Sequence, residues 1–299
     1  MGEDPLTILI IGSVAWDEVI YLPEPLRAGS HNAGRQMETR IGGGAANTAM
    51  ALAMMPSIQS GENIATKPIV VSAVGKDTHG TRLVDSLRGF GIDVNHIHCQ
   101  GEQTTRSLVL LDKAGERTVV NLTRAALPLP RNLAHIPADC CYVRSADPAL
   151  TKVLEERVRH GLVIAHIPPT TDAFRPAQVL VGSASDLDDN FLGNPFEVGQ
   201  RIAGNALEWV VITSGPAGAI AYGKGALLKR IAPRVLVKDT TGAGDVFAAG
   251  LAFALGRGEN MPSALETAVR WGSASVGYHG TIPQRDCFSG ETILESSSM

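Results

Sequence analysis

Short, wholly apolar runs alternate along this chain with longer stretches in which apolar residues recur every three or four positions. Leu6 to Ile11 reads as a strand buried on both faces and ended by Gly12. Val14 to Leu22 and Gly34 to Ile41 read as further strands, separated by Pro23, Pro25, Gly29 and Asn32. Gly42-Gly43-Gly44 leads into a helix over 45–55, and Gly80 to Phe90 predicts another, stopped at Gly91 by a glycine cap. Between them Ile69 to Val74 is a second buried strand. Thr104 to Leu111 and Arg117 to Leu122 flank Lys113-Ala114-Gly115-Glu116, which predicts a hairpin. Cys140 to Val143, Val163 to His166, Val179 to Val181 and Val210 to Thr213 follow as short buried strands, with helical stretches between several of them. The last helices are expected near 246–255 and 262–276. This rhythm predicts one α/β domain over 1–299: a doubly wound, mostly parallel sheet with helices on both faces. The segments near 14–41 and 95–122 are rich in strands and lack crossover helices. They are expected to form a small separate sheet covering the main one.

Composition narrows the picture. The chain has 299 residues, 44% hydrophobic and 19% charged, enough to bury a sizeable core. Its net charge of −4 and the absence of a basic run argue against nucleic acid as a partner. An anionic ligand would have to be held by local geometry. Cys99, Cys140, Cys141 and Cys287 lack paired metal-ligand spacing and read as free thiols in a reducing compartment. Among the histidines only His96 and His98 stand close in sequence, and their spacing reads as surface on an alternating strand. Glu3 and Asp4 ahead of a short apolar run make neither a signal peptide nor a membrane span, so a cytoplasmic protein is expected.

The densest chemistry lies in Asp239-Thr240-Thr241-Gly242-Ala243-Gly244-Asp245. An apolar run (Val235, Leu236, Val237), read as a strand, precedes it, and a helix over 247–255 follows. Unpaired amides at a helix N-terminus and the helix dipole attract anions, and the two glycines let a ligand approach the backbone. Asp245 adds a carboxylate beside that site. Taken alone, the segment divides evenly between a helix cap and a phosphate loop with a base beside it. It is neither a Walker A loop nor a dinucleotide fingerprint.

Further motifs decide between these readings. Gly42-Gly43-Gly44-Ala45-Ala46-Asn47-Thr48-Ala49, Val74-Gly75-Lys76-Asp77-Thr78-His79-Gly80, the run from Thr104 to Thr118, Val211 to Ala219 and Asp239 to Asp245 occur in this order. In them the chain resembles the ribokinase-like, or phosphofructokinase-B, carbohydrate kinases over nearly its whole length. The resemblance implies a ribokinase-like fold with a β-sheet lid, and transfer of the γ-phosphoryl group of ATP to a hydroxyl of a sugar or nucleoside. It implies Asp245 as catalytic base and Gly242, Ala243 and Gly244 as anion hole. It gives substrate contacts to Asp17, Gly43, Gly44 and Asn47, and Arg106 stands where it could cover a phosphate or lie on a solvated lid face. Thr213, Gly215 and Gly218 fall on the nucleotide side, and Asp239 and Thr241 in the region where many members hold a monovalent cation, K⁺. Mg²⁺ is expected on the nucleotide phosphates. Where many members carry Asn-x-x-Glu, this chain has Ser183 and Asp186, with Asp188 as an alternative to the latter.

The leading expectation is a sugar kinase using ATP and Mg²⁺, with a homodimer formed through exposed lid edges. A nucleoside kinase of the same fold is the alternative. A binding protein that retains the fold without turnover is the reading from another class, favoured by the shortened Ser183 and Asp186.

Overall fold

The computed structural model describes residues 4–54, 65–113, 117–127, 129–169, 173–277 and 280, together with two two-residue strands at 58–59 and 62–63. In chain order the strands are β1 (Leu6–Ile11), β2 (Ala15–Leu22), β3 (Arg35–Gly42), β4 (Ile58–Gln59), β5 (Glu62–Asn63), β6 (Thr66–Val74), β7 (Asp93–Cys99), β8 (Arg106–Asp112), β9 (Arg117–Thr123), β10 (Cys140–Val143), β11 (Leu162–His166), β12 (Val179–Ser183), β13 (Trp209–Thr213), β14 (Ala219–Gly223) and β15 (Ala226–Arg230). The helices are α1 (Gly44–Met54), α2 (Thr78–Gly89), α3 (Thr151–Arg157), α4 (Asp189–Gly193), α5 (Pro195–Ala203), α6 (Ala243–Gly256) and α7 (Met261–Ser275).

Nine strands form the main sheet in the order β15-β14-β13-β12-β11-β10-β1-β6-β7. It is parallel from β7 to β13, and β14 and β15 add an antiparallel hairpin at one edge. Wholly apolar strands are what a sheet covered on both faces requires. In β1, Ile8 and Ile10 pack into the core under α1, α2, α6 and α7, whereas Leu9 and Ile11 face the core under α3, α4 and α5. Adjacent Cys140 and Cys141 likewise point to opposite faces as buried free thiols. Burial pushes the Cys141 thiol up to about 11 and Cys140 well above its ordinary value. Cys287 lies outside the described residues. Helix α6 is apolar around most of its circumference because α1, α7 and the sheet enclose it. Its Gly250 and the Gly272 of α7 permit this closeness: a Cβ on either would come within about 3 Å of the facing helix.

A second sheet, β3-β2-β8-β9, stands apart from the first. Its β2 alternates in burial, and Val19, Val109 and Leu111 form its small core.

Two expectations are corrected. The segment 95–122 does not belong wholly to the small sheet, because β7 pairs with β6 as the edge of the main one. The run Val235 to Val237 is irregular rather than a strand, and Leu236 and Val237 are exposed. Its apolar residues signal a cleft wall, not a ladder. The hairpin turn read at 113–116 lies outside the described residues beyond Lys113.

Candidate active site

The main sheet reverses its winding between β1 and β10: from β1 the chain adds β6 and β7 on one side, then β10 to β13 on the other. Loops diverge above such a switch point and leave a crevice at the carboxyl ends of the strands. A cavity of about 750 Å³ opens there, lined by residues that include Tyr142, Arg144, His166, Ser183, Asp186, Thr213, Gly215, Gly218 and Gly242 to Asp245.

The loop before α6 reaches this cavity through Gly242, whose φ of 78° is the left-handed conformation that favours glycine. The amides of the first turn of α6 therefore start at the cavity wall. Space around Gly244 is open, with nothing within 4 Å of an added Cβ.

Asp245 lies in that first turn. Asn47 Nδ2, from α1, donates to its Oδ2 at 2.9 Å, and Arg144 Nε donates to its Oδ1 at 3.3 Å. Thr48 Oγ1 donates to its backbone carbonyl. The carboxylate is thus fixed from two sides while remaining 13% exposed. Gly44 makes room for this arrangement: a Cβ there would lie 2.6 Å from Arg144 Cγ and 3.1 Å from Asp245 Oδ1. Gly43, at φ 88°, packs against the backbone of Ser13, so the glycine run of α1 joins the loop after β1.

Register explains Asp17. Within the small sheet it stands opposite Arg40 of β3 and Ser107 of β8. The three form a polar row on the face that Val19 and Val109 make apolar. Burial raises the Asp17 pKa above 3.8; Ser107 and Arg40 oppose the rise, and the Asp245 charge adds to it. A Cβ on Gly42 would strike the Asp17 carboxylate at 1.9 Å, so glycine is required beside it.

Arg40 continues from this row to Asp239, donating from Nη1 to Oδ2 at 3.1 Å. Asp239 is 1% exposed. Its Oδ1 accepts from the Thr241 amide and its Oδ2 also from the Gly280 amide. Burial would raise its pKa, but the Thr241 bonds and Arg40 lower it below the ordinary carboxylate value. Arg117 of β9 grips the same loop by donating to the Thr240 carbonyl at 2.8 Å.

Most residues named from the sequence converge here. Thr213 ends β13, and Gly215 and Gly218 make the turn after it with positive φ. At Gly218 a Cβ would meet the Arg230 carbonyl at 2.0 Å. Ser183 and Asp186 lie on the cavity wall, joined through Ser185: the Ser185 hydroxyl donates to Asp186 Oδ1 and lies 2.8 Å from the Ser183 hydroxyl. Arg106 is the exception. It pairs with Glu18 within the small sheet rather than standing over the cleft as a free cation. The Val74 to Gly80 motif is structural: Asp77 caps α2 through the Gly80 amide and also accepts from Thr104.

Two cleft residues escaped the sequence reading. Arg144 follows β10 directly and His166 ends β11, and a polar residue closing an apolar parallel strand is the signal that would have found both. Burial, and then the Arg144 charge, lower His166 to about 4, so its ring is neutral at pH 7.

A helix N-terminus and a fixed carboxylate at the switch point of a doubly wound sheet are an arrangement suited to phosphoryl transfer to an alcohol group. The sequence family described as pfkB family carbohydrate kinase matches residues 6–158 and 177–286, and the chain belongs to it. It is 26% identical over 296 residues to a nucleoside kinase of Methanothermobacter thermautotrophicus, covering 93% of this chain and 90% of that one. It is 24% identical over 314 residues to a ribokinase of Haemophilus influenzae, covering 93% and 96%. The fold is also that of Arabidopsis thaliana ribokinase complexed with ribose and ATP, with a TM-score of 0.74, 20% identity, and coverage of 95% and 98%.

Proposed function

We propose that this protein is an ATP-dependent sugar kinase. The observation that carries the reading is Asp245, oriented by Asn47 and Arg144 at the amide-lined N-terminus of α6. The acceptor oxygen would form a bond to the γ-phosphorus as the bond to the β–γ bridging oxygen breaks, giving ADP and a phosphate ester. Its proton passes to Asp245. A carboxylate is a weak base towards an alcohol, but the transition state is loose and deprotonation comes late, so positioning is its main contribution. Amides of residues 242 to 244 take up charge on the transferred group.

Two observations support a polyol as acceptor. Asp17 is a buried ionisable acceptor in a polar row with Arg40 and Ser107, suited to paired hydroxyls. Asn47 Oδ1 and two donors of Arg40 are buried without a partner among the described residues, so they offer the complementary contacts. The apolar wall of Val235 and Val237, with Val269 and Val276 on the same cavity, suits the flat face of a purine. Similarity to the archaeal nucleoside kinase favours a nucleoside acceptor as the second reading.

Mg²⁺ fits the wall formed by Ser183 and Asp186. No cluster of three or more His, Cys, Asp or Glu occurs among the described residues, so water and phosphate oxygens would complete its shell. It would neutralise charge on the nucleotide phosphates. At Asp239 a monovalent cation would share a carboxylate that already accepts from the Thr241 and Gly280 amides and pairs with Arg40. Thr241 ties the loop to Asp239 through its amide, and its hydroxyl is buried without a partner among the described residues.

The small sheet serves as the lid in this reading. Met37, Val119, Val120 and Leu122 are exposed on its edge strands, which supports a homodimer covering that surface. No helix among the described residues is long and apolar enough to cross a membrane. The place of action in this reading is the cytoplasm.

The test is ADP release across a panel of sugars and nucleosides. Asp245→Asn should keep nucleotide binding, measured as a thermal shift, and lose at least about a hundredfold in kcat. A near-normal kcat would remove Asp245 as the base. Phosphorylation of nucleosides but no free sugar would reverse the order of the two readings.

A further inference from the structure

We infer that Arg144 contacts the transferring phosphoryl group and supplies the fixed positive charge between the two carboxylates of the cleft. The inference rests on the kinase reading and assigns it a residue that no motif contains.

Arg144 is the first residue past β10, at the switch point. Its stem is guided by glycines on two sides. A Cβ on Gly12 would lie 3.1 Å from Arg144 Cβ, and one on Gly44 would lie 2.6 Å from its Cγ and 2.9 Å from its Nε. With Nε held on Asp245, the two η nitrogens are left to meet a ligand. The side chain remains 36% exposed, against 13% for Asp245. It lines both the large cavity and a smaller neighbouring one of about 330 Å³, and the two share His166, Gly182, Ser183 and Asp186 with it. Arg144 thus stands on the wall between Asp245 and Asp186.

Electrostatics gives this placement a purpose. Asp245 and Asp186 both repel an incoming polyphosphate, and the loop amides carry only partial charge. His166, held neutral, cannot compensate; of the other arginines on the cavity, Arg117 is turned to the Thr240 carbonyl and Arg234 is exposed, so neither is held at the candidate base. Arg144 can compensate. Burial favours loss of its proton, but the Asp245 and Asp186 charges outweigh that and keep it charged. A planar fork fixed at one nitrogen presents its remaining donors without further loss of side-chain freedom.

The experiment compares wild type, Arg144→Gln, Arg144→Lys, Arg144→Ala and Asp245→Asn, each checked by thermal melting for a folded state. With an acceptor the wild type uses, Arg144→Gln should lower kcat by about 10²–10³-fold and leave both KM values within about twofold. Guanidinium ion should restore part of the turnover of Arg144→Ala. Binding gives a readout free of turnover. ADP with aluminium fluoride and Mg²⁺ should bind wild type and Asp245→Asn more tightly than ADP alone, and Arg144→Gln should lose that tightening. An Arg144 that only positions Asp245 would leave the tightening intact, and this outcome overturns the inference. So does an unchanged kcat in Arg144→Gln, or a rise in acceptor KM with kcat preserved. A wild type that phosphorylates no acceptor would sink the kinase reading itself, which separates the two failures.

Discussion

Asp17 and Asp245 are both carboxylates at the cleft, yet their surroundings differ. Asp245 sits at a helix N-terminus and accepts from two side-chain donors, Asn47 and Arg144. Asp17 is buried in a sheet face, where desolvation dominates and lifts its pKa. In the proposed reading the ionised form accepts from two substrate hydroxyls at once, whereas protonation turns one oxygen into a donor. A raised pKa means that its charge is lost as pH falls through a value above the ordinary 3.8. The acid limb of kcat/KM is therefore expected above that value, and Asp17→Asn should flatten it while raising the acceptor KM. A profile whose acid limb is the same in wild type and Asp17→Asn would refute this role.

At the scale of elements, two strands of the small sheet hold the loop that precedes α6. Arg40 of β3 pairs with Asp239, and Arg117 of β9 donates to Thr240. Their energetic weights differ. Arg40 and Asp239 are both nearly inaccessible, so Arg40→Leu strands a buried charge and should cost about 3–5 kcal/mol in denaturant melts. Arg117 is exposed, and Arg117→Ala should stay within about 1 kcal/mol. Equal effects would contradict this picture. The cap of α2 is a smaller matter. Asp77→Ala removes one oxygen from the Gly80 amide and another from Thr104, for a loss of about 1–2 kcal/mol with little change in KM.

Over the whole molecule, the main sheet is covered on both faces, whereas the small sheet is covered on one. Strand β9 is exposed along nearly its whole length. Light scattering should give twice the chain mass, and Val120→Glu should return it to the monomer. A monomeric wild type would show that the edge is left open. How far this architecture was legible follows from the range of the forces involved. The runs from Leu6 to Ile11 and Cys140 to Val143 announce a sheet buried on both faces, because burial demands apolar side chains at every position. Gly43, Gly44, Gly242 and Asp245 stand out because close backbone approach and a helix N-terminus each restrict the residue locally. By contrast, Val235 to Val237 mimics a strand, since an apolar wall of a cleft and an apolar ladder carry the same residues. The pairing of Arg106 with Glu18, of Arg40 with Asp239 and of Arg144 with Asp245 joins positions 88, 199 and 101 residues apart. Composition and local pattern thus determined the layers and the glycine turn that opens α6. Only tertiary structure decided which charge faces which, because ion pairing depends on distances through space that no local spacing encodes.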